Sequence, residues 1–178
     1  KISCVNFALR AIMDADVINT VSEQYAREIL TKEFGENLDI TLRTRKSDLY
    51  GIVNGVDYEV YNPATDPGLA VNYDFNSIDK KAENKFELQR VFGLPRNKSI
   101  PVIGMVSRIT EQKGLDLIIN ILDYLLDYHV QVAIMGVGDK HYENLFTSIF
   151  KKKYQNFAFM PFDQKKETLV YAGSDIYL

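Results

Sequence analysis

A chain of 178 residues, 46% hydrophobic and 25% charged, has material for a sizeable core and length for one domain or parts of two. Its formal net charge of −3 excludes a general binder of nucleic acid or of an anionic membrane surface, so any anion site has to be built locally. A single cysteine, Cys4, excludes an intrachain disulfide framework and suits a reducing compartment. Two histidines, His129 and His141, without a Cys/His cluster leave no zinc site, and no apolar run reaches the roughly 20 residues of a membrane helix.

The chain opens on Lys1 with no signal-peptide pattern and closes on "GSDIYL", which reads as the middle of a strand, so the expectation is an excised piece of a longer protein. Val5, Phe7, Ala8, Ile12, Met13 and Ala15 have an irregular helical spacing that runs into a short buried strand in "ADVINTVS". "SEQYAREILTKEFG" follows as a helix, capped by Ser22 or Thr20, with Glu23 in its first turn and Gly35 at its end. "ENLDITLRTRKSDLY" is weakly patterned and predicts loop with one short helical turn. Residues 49–53 predict a strand, and Asn54 and Gly55 a turn, because both tolerate positive φ. Pro63, Pro67 and Gly68 break regular structure up to about residue 76, which makes 51–76 the expected interdomain segment between 1–50 and 77–178.

"SIDKKAENKFELQRVFGLP" predicts a helix with Ala82, Phe86 and Phe92 among its apolar positions, stopped by Gly93 before Pro95. From residue 100 the pattern is regular α/β alternation. "IPVIGMVS", "HVQVAIMGVGD", "NFAFM" and "DIYL" are the strands; "GLDLIINILDYLLDY", "HYENLFTSIFKKKY" and "QKKETLVYAGS" are the helices. The first of these helices carries Leu115, Ile118, Ile119, Leu122 and Leu126 on one face. The fold class is α/β, a parallel, doubly wound, Rossmann-like sheet, and ligands of such sheets sit outside the carboxyl ends of the strands.

"VSRITEQKGLDLI" places Arg108 and Lys113 at such an end, where a strand gives way to a helix N-terminus. Each cation within about 4 Å of a phosphate contributes roughly 4 kcal/mol of gross attraction at an effective dielectric near 20, before desolvation. "GVGD" closes the next strand, and Gly136 and Gly138 would let backbone N–H groups approach a ligand without a Cβ in the way. The stretch lacks the third glycine of a dinucleotide fingerprint, and the chain has no GxxxxGK[ST] loop. By pattern alone the reading ends at an α/β domain with a candidate nucleotide site.

"VSRITEQKGLDLI" resembles the signature of bacterial glycogen synthases and plant starch synthases, retaining glucosyltransferases of GT-B architecture. "ADVINTVSEQYAREI", "LYGIVNGVDYEVYNPATD", "NKFELQRVFGLP" and "MGVGD" resemble further segments of that family in the same order along the chain. The resemblance implies the tail of the first GT-B domain, a hinge, and the first half of the nucleotide-sugar-binding domain. The implied activity is transfer of glucose from ADP-glucose, or UDP-glucose, to the non-reducing end of an α-1,4-glucan with retention of configuration. Arg108 and Lys113 would bind and stabilise the diphosphate leaving group, so no metal and no other cofactor is implied. Gly136 and Gly138 would line the nucleotide pocket, with Asp139 holding the turn.

Asn54 matches a family position facing the interdomain cleft and reads equally as a plain turn residue. Phe162 stands near an aromatic position that would lie against the adenine, where the family has tyrosine; as a phenylalanine it reads as buried core. Glu111, between the two cations, is expected to be exposed or paired with one of them. The family's "KTGGL" and "EPCGL" segments do not occur in these residues, so the chain by itself is expected to be inactive. Other readings are a sucrose-phosphate synthase-like or glycolipid mannosyltransferase-like GT-B enzyme, and a non-catalytic relative that binds glucan or a partner. The expected setting is cytoplasm, or plastid in a plant, with no nucleic-acid or membrane partner, and an unpaired sheet edge predicts self-association.

Overall fold

The computed structural model describes residues 6–152 and 155–178; the predicted positions Cys4 and Val5 and the end of the 141–154 helix lie outside the described residues. The chain divides into two compact units, Lys1–Asp57 and Tyr58–Leu178.

In the first unit, helix α1 (Phe7–Asp14) begins where the Asn6 side chain accepts the Leu9 N–H. Strand β1 (Ile18–Thr20) pairs in parallel with β2 (Leu49–Gly51), Ile18 opposite Leu49. Between them lie α2 (Glu23–Glu28), capped by the Ser22 hydroxyl on the Tyr25 N–H, and α3 (Asp39–Thr44). Helix α2 stops well short of Gly35. Both the N–H and the hydroxyl of Thr31 turn back to the Glu28 carbonyl, and the chain then passes through positive φ at Glu36 and Asn37. Local bonding by a threonine thus overrides the apolar spacing that predicted a longer helix.

Arg45 organises the other end of α1. Its guanidinium donates to the carbonyls of Ile12 and Met13, each at 2.8 Å, and to that of Ala15, and it pairs with Asp48 at 2.9 Å. These are orphan carbonyls of the helix end, which need a donor from elsewhere. After β2 the chain runs without regular structure, and neither Asn54 nor Gly55 adopts positive φ. The predicted turn is therefore not formed: no strand follows directly to fold back on β2, so nothing demands the reversal. Asn54 is exposed.

The second unit is a three-layer α/β/α arrangement. Helix α4 (Lys81–Phe92) stops at Gly93, whose φ is 69°. Strands β3 (Val102–Ile109), β4 (Gln131–Gly138), β5 (Phe157–Pro161) and β6 (Ile176–Tyr177) form one parallel sheet in the order β5-β4-β3-β6. The order reverses at β3, which makes the β3/β6 boundary the topological switch point of a doubly wound sheet.

Alternation along each strand sends neighbours to opposite cores. Val102, Ala133, Met135 and Ala158 meet Leu88 and Phe92 of α4 and Leu169 and Val170 of α7 (Glu167–Gly173). Ile103, Val132, Ile134 and Phe157 meet Leu115 and Leu122 of α5 (Leu115–Asp127) and Phe146 of α6 (Lys140–Lys152). Burial of side chains such as Phe146 and Phe157 stabilises the sheet by about 1.5–3 kcal/mol each.

The buried face of α4 is largely polar, which its apolar spacing did not announce. Asn84, Lys85 and Gln89 are buried with Leu88 and Phe92. Asn84 accepts the Ala70 N–H and donates to the Val71 carbonyl, so it holds the preceding loop. Gln89 donates to the Gln131 side chain at 2.7 Å, tying α4 to the start of β4.

Candidate functional site

The site is built at the carboxyl edge of the second unit's sheet. Arg108 is the penultimate residue of β3, in register with Val137, and Ile109 is in register with Gly138. Because Ile109 is fully buried in the α5/α6 core, alternation sends Arg108 to the opposite side, where its side chain is exposed. The chain then turns, with Lys113 N–H on the Thr110 carbonyl at 3.0 Å, through a short 3-10 turn at Glu111–Lys113. Gly114 takes φ 64°, which a side chain would resist, and α5 starts at once. Lys113 is thus held next to the positive end of a helix.

Among the described residues neither Arg108 nor Lys113 forms an ion pair with a carboxylate. Glu111 is exposed and bridges neither cation. Two charges are therefore displayed without internal neutralisation at one strand end. Acid is not far away. The Tyr142 phenol is held above its ordinary range, first by burial and then by the negative charges of Asp116, Glu111 and Asp139.

Gly136 and Gly138 lie where predicted, at the end of β4, but their surroundings assign them a different need. A Cβ at Gly136 would collide with the Ser107 carbonyl and the Ile109 side chain, and one at Gly138 with the Ile109 carbonyl. Both glycines serve the close approach of β4 to β3 beside Arg108. The Gly138 N–H is already taken, since it donates to Glu143 Oε1 at 2.8 Å. Glu143 Oε2 pairs with Lys140 at 3.0 Å, and these two partners, the Gly138 N–H first, hold its carboxyl below the usual range.

Asp139 holds the turn as expected: its carboxylate accepts the His141 N–H at 2.7 Å, and its own N–H donates to the Ile109 carbonyl at 2.7 Å. Glu143 went unnoticed in the sequence, where its only mark is an acid in the first turn of α6.

Phe162 corrects the expectation of a buried core residue, being 45% exposed. Its N–H donates to the Gly136 carbonyl at 3.2 Å, so the chain leaving β5 stays beside the end of β4 and turns the ring outward. The sheet thus brings Arg108, Lys113, Gly136, Gly138 and Phe162 to one edge across three adjacent strands. Asn54 belongs to the other compact unit. A separate cavity of about 450 Å³ in the second unit is lined by Val71, Phe86, Arg90, Leu94 and neighbours, and by none of these five. No group of three or more metal-binding side chains occurs among the described residues, and no helix is long and apolar enough to cross a membrane.

Residues 1–44 match the starch synthase catalytic domain family. The glycogen synthase of Thermotoga maritima is 49% identical over 176 residues, which covers 98% of this chain and 36% of that protein. The glycogen synthase of Thermosipho melanesiensis is 48% identical over 179 residues, with the same coverage of both. Among solved structures, the catalytic domain of starch synthase IV from Arabidopsis thaliana, bound to ADP and acarbose, superposes with a TM-score of 0.90 at 31% identity. That match covers 97% of this chain and 36% of the other. The chain therefore spans 36% of the length of the curated relatives. In sequence and in fold alike, these residues match a segment of glycogen and starch synthases, glycosyltransferases of GT-B architecture.

Proposed function

We propose that the protein carrying these residues transfers glucose from ADP-glucose to the non-reducing end of an α-1,4-glucan with retention of configuration. The observation that carries this reading is the pair of cations, Arg108 and Lys113, without a carboxylate partner among the described residues, at the carboxyl edge of a doubly wound sheet. A structural relative is bound to ADP and acarbose, which favours ADP over UDP here. Arg108 would grip two phosphate oxygens with its planar fork, and Lys113 would add a point charge reinforced by the α5 N-terminus. As the glycosidic bond to the diphosphate breaks, negative charge grows on the departing oxygen. Fixed cations there lower the barrier without reorganising. Gly136 and Gly138 would form the wall under the nucleotide by letting β4 close on β3, and Phe162 would lie against the base.

The test is calorimetric titration with ADP and with UDP at low and high salt, on the wild-type chain and on Arg108→Ala and Lys113→Ala. The expected result is ADP binding that weakens with salt and falls by at least about ten-fold in either variant, as loss of a charge-assisted contact worth 1.5–3 kcal/mol requires. In the full-length protein, loss of either cation should lower kcat for ADP-glucose-dependent chain extension by on the order of 10²–10³. Full activity in both variants would refute the assignment.

A further inference from the structure

We propose that the outer face of α5 is a docking surface for a basic amphipathic helix of a partner protein. This face is independent of the proposed transfer reaction. Helix α5 is apolar on two sides. One side, with Leu115 and Leu122, is buried on the sheet. The other carries Leu117, Ile121, Tyr124 and Tyr128, which are 65%, 51%, 66% and 63% exposed. Their spacing of four, three and four residues keeps them within an arc of about 60° at 3.6 residues per turn. That is the seam spacing by which one helix receives the side chains of another. The two tyrosines are held in place, with hydroxyls 2.7 Å apart and ring centroids 5.1 Å apart at 76°. Fixed rings lose little freedom when a partner covers them.

Charge selects the occupant. Between Leu115 and Asp127 the helix has Asp116, Asp123 and Asp127 and no lysine or arginine. Its last turn holds no basic residue, so Asp127 adds to the negative carbonyl end of the helix instead of offsetting it. On the helical wheel the aspartates fall to one side of the apolar seam. A second copy docked antiparallel would set these acidic rows side by side, which like charges oppose. A glucan would use the tyrosines but gain little from Leu117 and Ile121 a turn or two away. A helix with an apolar seam and a Lys- or Arg-bearing flank satisfies both features at once.

The test uses the full-length protein and two synthetic helices of about three heptads with leucine seams, one flanked by lysine and the other by glutamate, followed by fluorescence anisotropy. The lysine helix should bind at least about ten-fold tighter than its glutamate twin. Ile121→Gln and Tyr124→Ser, both at exposed positions, should each weaken it about ten-fold or more with unchanged circular dichroism. Asp127→Asn should weaken it and flatten its salt dependence, while ADP binding stays the same. Equal binding of the twins, or indifference to Ile121→Gln, overturns the proposal. So does self-association that Ile121→Gln abolishes, which would assign the face to a second copy. Displacement of the lysine helix by maltoheptaose would assign it to glucan, and resistance of Tyr124 and Tyr128 to nitration would show that the protein covers the face itself.

Discussion

One carboxylate oxygen of Asp175 stands 2.7 Å from the Lys85 ammonium and accepts the Val102 N–H, also at 2.7 Å. Lys85 in turn donates to the Lys98 carbonyl at 2.9 Å. This contact joins α4, the entry to β3 and the entry to β6 at the amino edge of the sheet. Arg108 stands at the other end of the same strand.

Removing Asp175 should therefore be costly in a particular way. The Lys85 side chain is 7% exposed and Asp175 42% exposed, so the ammonium suffers most when the pair is broken. Breaking a buried pair costs about 3–5 kcal/mol, and the exposure of the acid reduces this to roughly 2–3 kcal/mol for Asp175→Ala. Lys85→Met, which removes the buried charge itself, should cost less. Urea unfolding of both variants checks the order; a smaller loss for Asp175→Ala would mean that water already solvates Lys85.

In the first unit, Arg45→Ala should release α1. The carbonyls of Ile12, Met13 and Ala15 would lose their shared donor, and the change should cost about 1.5–3 kcal/mol of local stability. Hydrogen exchange would report it as lost protection over Phe7–Asp14 with the second unit unaffected. Arg45→Lys should recover little, because an ammonium cannot span three carbonyls as a planar fork does.

Gly136→Ala and Gly138→Ala should each separate the carboxyl ends of β3 and β4. The added methyl meets β3 backbone in both cases, which cannot swing aside as a flexible side chain would. Overpacking of this kind costs about 1–3 kcal/mol. Displacement of Arg108 should follow, so a loss of ADP affinity larger than the loss of global stability explains is the expected signature.

The Glu143 contact predicts a pH dependence. The Gly138 N–H and then Lys140 hold the carboxyl below its ordinary value, so the folded state binds the proton less readily than the unfolded chain. The stabilisation is complete above the unfolded carboxylate range and is lost as pH falls through the lowered folded value. The Gly138 amide resonance should shift in that acidic window, and Glu143→Gln should abolish the inflection while keeping a hydrogen-bond acceptor. An unchanged titration in Glu143→Gln would assign the acidic transition to another group.

The strands of the second unit were legible because each is a continuous apolar run, which only a sheet buried on both faces can use. The two-sided use of α5 was only half legible: its inner stripe follows from apolar spacing, whereas the exposure of Leu117, Ile121, Tyr124 and Tyr128 is set by tertiary packing. Short-range bonding was illegible where it competed with spacing. Thr31 shortened α2, and the Asn54 and Gly55 pair takes no positive φ because no strand follows to make a hairpin.

The sequence by itself determined the parallel α/β class, the placement of Arg108 and Lys113 at a strand end, and the likeness to glycogen and starch synthases, because all three depend on local order along the chain. Tertiary structure alone decided that Glu143 occupies the Gly138 amide and that Gly136 and Gly138 face β3. It also decided that Phe162 points outward and that Lys85 lies buried against Asp175. Those outcomes depend on which elements meet across the sheet. Strand order and register set such meetings, and no spacing within a single segment encodes them.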